Sequence, residues 1–210
     1  NLSSDWLPFW LTPTAPLPLF HLVSMGSVHG ALDQEIAALA QWDQRRLAFH
    51  SRSQAADFAL PEAPVVVGNG FDLEAYRFCG QPDPLLGWVG RVAPEKGLED
   101  AAAAAAQLGL PLAVWGLMED RAYAAAVEAS VPAGTLQWRG FLPTAELQGQ
   151  LGRCRALLNT PKWNEAYGNV VVEALACGVP VVAYRRGGPG ELVQPGVTGD
   201  LVEPDDREAL

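Results

Sequence analysis

Lysine is nearly absent from this chain, occurring only at positions 96 and 162. Basic residues as a whole are outnumbered, fourteen lysines and arginines against twenty-four aspartates and glutamates, for a formal charge of −10. That balance repels phosphate backbones and leaves no basic stripe of the kind nucleic-acid binders display, so DNA and RNA are not expected partners. Cysteine is scarce as well. Cys79, Cys154 and Cys177 are odd in number, widely spaced and without a C-x-x-C, which argues against a disulfide framework or a zinc knuckle and fits a reducing, cytoplasmic setting. Long apolar runs are missing too: residues 101–118 are broken by Gln107, Gly109 and Pro111 and read as helix, turn and strand rather than a membrane span. The chain opens at Asn1 with neither methionine nor signal peptide. It stops at Leu210, just where Pro204-Asp205-Asp206 announces a helix, so both ends are expected to be cut.

What is present describes a globular chain, 49% hydrophobic and 18% charged, long enough for one large domain or one and a half ordinary ones. An apolar strand at 19–24, a helical pattern at 31–42, a strand at 46–51 and a short helix start at 54–58 read as the tail of an α/β unit. The apolar run 63–67 leads into Asn69-Gly70, a dipeptide suited to a tight turn, and residues 80–84, with two prolines, read as an exposed linker. From Leu85 strands at 85–89, 111–116, 136–140, 156–159 and 179–184 alternate with helices at 98–108, 120–130, 144–152, 170–177 and 191–193. Alternation of this kind implies a parallel sheet, and short continuous apolar strands imply helices on both of its faces. The expected fold class is therefore α/β, a Rossmann-like parallel sheet at 85–210, joined by an interdomain strand and linker at 63–84 to a remnant α/β unit at 1–62.

Open parallel sheets bind ligands at the carboxyl ends of their strands, which directs attention to three loops. The first reads Gly90-Arg91-Val92-Ala93-Pro94-Glu95-Lys96-Gly97. Arg91 offers a planar fork of donors and Lys96 a compact charge, both near a helix start, an arrangement that can hold a diphosphate. Two surface cations beside a loop are the plain alternative, since the spacing matches neither common phosphate-binding glycine motif. The second loop, residues 160–178, carries Glu165 and Glu173, which would lie roughly 12 Å apart on a continuous helix. Between them Gly168 lets the backbone approach closely, and the free N–H groups near Asn169 and Val170 can face an anion. Glu173 sits in an apolar helix and needs partners. A ribose diol could supply two hydrogen bonds; a structural glutamate satisfied by an arginine or backbone amide is the alternative. The third loop, Arg185-Arg186-Gly187-Gly188-Pro189-Gly190-Glu191, could offer backbone amides to a sugar or simply turn the chain.

Together these segments resemble the retaining glycosyltransferases of the GT-B fold, the group 1 superfamily that includes glycogen and sucrose synthases. The likeness rests on Asn69-Gly70-Phe71-Asp72, Gly90-Arg91 with Glu95-Lys96-Gly97, the E-x7-E motif of Glu165 and Glu173, and Gly178-x-Pro180-Val181-Val182 with Gly187-Gly188 and Glu191, spanning residues 63–204. The resemblance implies that Arg91 and Lys96 neutralise a donor diphosphate, that Glu165 contacts the donor sugar and that Glu173 holds the ribose. Gly90, Gly168, Asn169 and Val170 would complete the donor cradle. Transfer would retain anomeric configuration through an oxocarbenium-like transition state, with no metal or other cofactor. A nucleoside-diphosphate sugar, UDP-glucose by expectation, would be donor, and a small molecule or glycan acceptor. Without the rest of the amino-terminal acceptor domain the chain is expected to bind donor without turnover. A narrower likeness, carried by Trp163-Asn164-Glu165, residues 184–189 and Ser24-Met25-Gly26-Ser27, is to UDP-glucose:tetrahydrobiopterin glucosyltransferases, which implies a pterin acceptor.

The amino-terminal part departs from the family. Where members often carry a histidine, this chain has Ser24-Met25, flanked by His21 and His29. His29 reads as a solvated loop residue that could face a cleft, His21 and His50 as core residues. Trp88, Trp115 and Trp138 read as core packing, whereas Trp163, two residues before Glu165, is a candidate for the site. A sugar-nucleotide epimerase or a phosphorylase of the same fold remains an alternative, although neither Lys96 nor Lys162 sits where a pyridoxal Schiff base is suggested. A non-catalytic nucleotide-sugar-binding module is a third reading.

Overall fold

A computed structural model describes residues 1–27 and 29–210. By compactness the chain divides into a first unit of residues 1–70 with 164–167, and a second of 71–163 with 168–210.

In the first unit, β1 (His21–Val23) pairs in parallel with β2 (Leu47–Phe49). The strands are joined by α2 (Gly30–Asp43), whose Leu32, Ile36, Leu39 and Ala40 recur at helical spacing and close over Val23, Leu47 and Phe49. A short α1 (Leu7–Leu11), begun by Pro8, adds Phe9 to this core. Ser51 caps α3 (Arg52–Ala55) by accepting from the Gln54 amide, so this helix starts two residues earlier than the apolar pattern suggested. The run 63–67 forms no full strand. It meets β2 through an isolated parallel bridge, with the Phe49 amide on the Val65 carbonyl and the Val67 amide on the Phe49 carbonyl, both 2.9 Å. The turn expected at Asn69-Gly70 does not form; the chain there is irregular, and Gly68 takes φ +66 with its carbonyl 3.1 Å from His50 Nδ1.

The second unit holds a six-stranded sheet, all parallel, in the order β5-β4-β3-β6-β7-β8. The strands are β3 (Leu86–Val89), β4 (Leu112–Trp115), β5 (Leu136–Gly140), β6 (Ala156–Asn159), β7 (Val181–Tyr184) and β8 (Gly199–Val202). The helices are α4 (Leu98–Leu108), α5 (Arg121–Ala129), α6 (Thr144–Leu151), α7 (Asn169–Ala176) and α8 (Pro189–Leu192). On one face, alanines of α4 and Ala124 and Val127 of α5 pack on Leu86, Trp88, Leu112 and Val114. On the other, Leu147 and Leu151 of α6 and Val171 and Ala174 of α7 pack on Ala113, Trp115, Leu157, Val181 and Ala183. Successive strand residues point to opposite faces, so apolar cover on both sides demands the uninterrupted apolar runs seen in the sequence. Trp88 and Trp115 are buried on opposite faces of the sheet and Trp138 packs, partly buried, against the Trp88 core, as core tryptophans should. All three cysteines are free.

One carboxy-terminal expectation is corrected and one strand is added. Residues 199–202, given no element from the sequence, form edge strand β8 on β7, and Pro204-Asp205-Asp206 begins a turn rather than a helix. Asp205 adopts φ +67, incompatible with a helix start, and its carboxylate is held by Lys162 at 2.9 Å and Arg186 at 2.7 Å.

Candidate functional site

The sheet order fixes where a ligand should sit. From β3 the chain winds outward through β4 to β5, then returns to β6 on the other side of β3. The gap between the carboxyl ends of β3 and β6 is thus the topological switch point, the usual ligand crevice of such sheets. The loops after these two strands carry Arg91 and Lys96, and Trp163 through Glu173.

The two loops are joined by one side-chain and one backbone hydrogen bond. Thr160 Oγ1 donates to the Gly97 carbonyl at 2.7 Å, and the Lys162 amide donates to the Glu95 carbonyl at 2.9 Å. Gly97 takes φ +65, and a Cβ there would stand 1.9 Å from the Thr160 oxygen, so only glycine permits this approach. The result is convergence of charge: Lys96 Nζ lies 4.6 Å and Arg91 Cζ 5.9 Å from the centroid of the Trp163 ring. Arg91 is also held by Glu119 and by Glu95 at 2.9 Å; Glu119 first, then Glu95, outweigh partial burial and raise its pKa. Gly90 and Arg91 border an apolar cleft of about 170 Å³, lined by Leu117 after β4, Phe141 and Leu142 after β5, and Leu147 of α6.

Behind these loops lies a charged hub that the sequence did not disclose. Asp100, in the first turn of α4, is fully buried and receives Lys162, Arg207 and, at 2.7 Å, the Tyr184 hydroxyl. Burial opposes the Lys162 charge, but Asp100 and Asp205 outweigh it and raise its pKa. Burial, seconded by Asp100, keeps the Tyr184 phenol neutral. Arg186 and then Lys162 hold the Asp205 carboxyl down at about 2. Buried charges persist only when paired, and this hub anchors the residue next to Trp163.

Helix α7 starts at Asn169, with Gly168 as its N-cap at φ +95. The amides of a helix's first turn lie outside the intrahelical ladder and, with the helix dipole, favour anions; Asn169 and Val170 occupy that turn. Glu173, one turn further on, is half-buried, and burial pushes its pKa above the ordinary carboxylate value while a hydrogen bond from the Tyr76 hydroxyl at 3.5 Å pulls the other way. Its partner is thus a tyrosine of the linker, not the arginine or backbone amide considered from sequence. Tyr76 lies just beyond a short 3-10 turn, where no periodicity could mark it.

Glu165 is placed differently from the other candidates. The helix begins only at Asn169, so Glu165 and Glu173 do not share a helical face, and residues 164–167 belong to the first unit. Local bonds explain this. The Ser51 hydroxyl donates to the Ala166 carbonyl at 2.7 Å, and the Asn164 amide donates to Asp57 at 2.8 Å and to the Ser53 carbonyl at 3.2 Å. Tyr167 lies against His50, ring centroids 6.1 Å apart. His21 and His50 are buried as expected. His29 is exposed at the N-cap of α2, in a loop whose Val28 lies outside the described residues. Among the described residues no group of three or more His, Cys, Asp or Glu could share a metal ion, and no helix is long and apolar enough to cross a membrane.

A doubly wound parallel sheet with cations and a helix start at its switch point is an α/β domain of the GT-B type. Residues 79–210 match the family model described as glycosyl transferases group 1, and the chain belongs to that family. It is 36% identical over 152 residues to a GDP-mannose-dependent alpha-mannosyltransferase of Mycolicibacterium smegmatis, covering 67% of this chain and 39% of the relative. It is 32% identical over 205 residues to a glycogen synthase of Mycobacterium tuberculosis, covering 88% and 49%. The chain therefore spans about half or less of the length of these relatives. Its fold matches the crystal structure of HepE from Anabaena in complex with UDP-glucose, with a TM-score of 0.79 at 21% identity over 97% of this chain and 63% of that one. Sucrose-phosphate synthase from Thermosynechococcus elongatus matches with a TM-score of 0.77 at 21% identity, over 97% and 60%.

Proposed function

We propose that this chain is the donor-binding part of a glycosyltransferase that moves glucose from UDP-glucose to an acceptor, with retention of configuration. The observation that carries the proposal is the meeting of Arg91 and Lys96 at Trp163, in the loops that flank the switch point and lead into α7 with its Glu173. Two cations and a helix start supply what a leaving diphosphate needs as its charge grows, without calling on a divalent ion. The ribose hydroxyls would donate to Glu173, whose linker partner leaves acceptor capacity on the carboxylate. The apolar cleft beside Gly90 and Arg91 suits the face of a nucleobase. Glu165 is assigned to the donor sugar on its place in the E-x7-E motif. UDP is preferred as the carrier because the matched HepE structure is a UDP-glucose complex, although the M. smegmatis relative is named for GDP-mannose. A pterin acceptor and a cytoplasmic location complete the reading, on the wording of residues 163–165 and 184–189 and on the unpaired cysteines respectively.

Calorimetry with UDP and GDP on this chain tests the proposal. UDP should bind more tightly than GDP, and Glu173→Ala should weaken it at least about tenfold, since each hydrogen bond to a charged acceptor contributes about 1.5–3 kcal/mol. Unchanged affinity in the variant removes the ribose assignment.

A further inference from the structure

Trp163 has no part in donor binding as assigned so far, yet it is where both donor cations come to rest. Lys96 Nζ and Arg91 Cζ lie 4.6 Å and 5.9 Å from its ring centroid, within the roughly 6 Å at which a cation is drawn to an aromatic quadrupole, for which indole is the best face. Two like charges held against one ring repel. Here the repulsion is offset on Arg91 by Glu95 and Glu119 and on both cations by the ring.

The ring's own position is fixed independently of any ligand. The Thr160 hydroxyl on the Gly97 carbonyl and the Lys162 amide on the Glu95 carbonyl lock its loop to the very loop from which the cations project. The Lys162 ammonium, held by Asp100 and Asp205, pins the adjacent residue from below. Ring and cations therefore project from two loops that are bonded to each other. A lysine or arginine in solution would lose much rotamer freedom on meeting a phosphate; on the ring that loss is incurred before the ligand arrives, which strengthens binding by preorganisation.

We propose that Trp163 is a positioning residue for diphosphate recognition, holding Lys96 and Arg91 against its ring so that a nucleoside diphosphate meets them already oriented. The inference rests on the donor-site reading of those two cations. It differs from a sugar-stacking role, which would leave binding of the sugar-free diphosphate untouched, and from simple packing, which would affect every ligand alike.

The test compares the unaltered chain with Trp163→Leu, which keeps bulk but no π face, and Trp163→Phe, which keeps a weaker one. Affinities for UDP, GDP and ADP are measured by calorimetry, and those for uridine, guanosine and adenosine by ligand-detected NMR. Trp163→Leu should weaken the best-bound diphosphate about tenfold while its parent nucleoside changes by less than about twofold, and Trp163→Phe should recover most of the loss. In a Lys96→Met background the effect of Trp163→Leu should shrink, because one of the two cations it positions is gone. If Trp163→Leu does not fold, Trp163→Phe decides, with about a threefold loss confined to the diphosphate expected. Equal losses for diphosphate and nucleoside, or no loss for the diphosphate, overturn the positioning role. Failure of all three diphosphates to bind the unaltered chain overturns the donor reading itself, before any variant is compared.

Discussion

At His21 three hydrogen bonds determine the state of a buried ring. Thr12 Oγ1 donates its hydrogen to the Pro8 carbonyl at 2.7 Å, so His21 Nε2, 2.7 Å away, must donate to that oxygen, and Nδ1 accepts from the Asn1 side-chain amide at 2.8 Å. Every polar atom of the neutral ring is thereby satisfied, and a second proton would point at the Asn1 amide. Burial, with the amino-terminal charge second, lowers the pKa from 6.5 to about 4. The unfolded chain then takes up a proton that the folded chain refuses, so stability rises with pH between these values and is lost as pH falls through them. The loss by about pH 4 is on the order of 3 kcal/mol. Urea unfolding of the first unit should show its midpoint fall between about pH 7 and about pH 4.5, and a flat profile would mean the ring is charged or solvated in the folded state. Burial of this histidine was legible from its place in an apolar strand; the tautomer was not, because it depends on Asn1 and Thr12, residues with no pattern of their own.

Among elements, the loop pair 90–97 and 160–163 is the one on which the proposed donor site depends, and Gly97 is the point where the two loops come closest. A methyl group there meets the Thr160 oxygen at 1.9 Å, whereas at Gly109, with a similar φ of +64 at the end of α4, nothing lies within 4 Å. Gly109→Ala should therefore cost only the left-handed backbone term, about 1–2 kcal/mol. Gly97→Ala adds displacement of the neighbouring backbone and should cost more than about 2 kcal/mol, while weakening nucleoside-diphosphate binding that Gly109→Ala leaves intact. Urea midpoints and calorimetry on the two variants separate these effects; equal behaviour would show that the loops are not mechanically joined. Elements with their own signals were readable from sequence: helix 98–108 between its glycines, strands 136–140 and 156–159 as bounded apolar runs. Strand β8 was missed because Gly199 and Asp200 mask a short edge strand that exists only by pairing with β7. The clustering of glycines, cations and carboxylates after strands made Arg91, Lys96, Gly168 and Glu173 candidates, but nothing local told that Tyr76 would reach Glu173, or that Ser51 and Asp57 would draw residues 164–167 into the first unit. Such pairings join positions roughly a hundred residues apart and arise only once the chain is folded.

For the whole molecule, the opposition between global and local charge yields a prediction of sign. The chain carries a formal charge of −10, which by itself repels an anionic nucleotide, and added salt would relieve that repulsion. The proposed site carries the opposite field, from Arg91, Lys96 and the start of α7, acting over contact distances. Screening reaches both, since the Debye length is about 10 Å at 0.1 M and about 3 Å at 1 M, so the response to salt shows which one the ligand feels. If the diphosphate sits on the cation pair, raising salt from about 0.05 M to about 0.5 M should weaken UDP binding several-fold, because the attraction lost at short range exceeds the repulsion relieved at long range. Lys96→Met should flatten that dependence along with lowering affinity, whereas removal of an acidic side chain remote from the loops, as in Glu128→Gln, should leave the slope unchanged. Titrations at three salt concentrations are sufficient, and affinity that rises with salt would place the nucleotide away from Arg91 and Lys96.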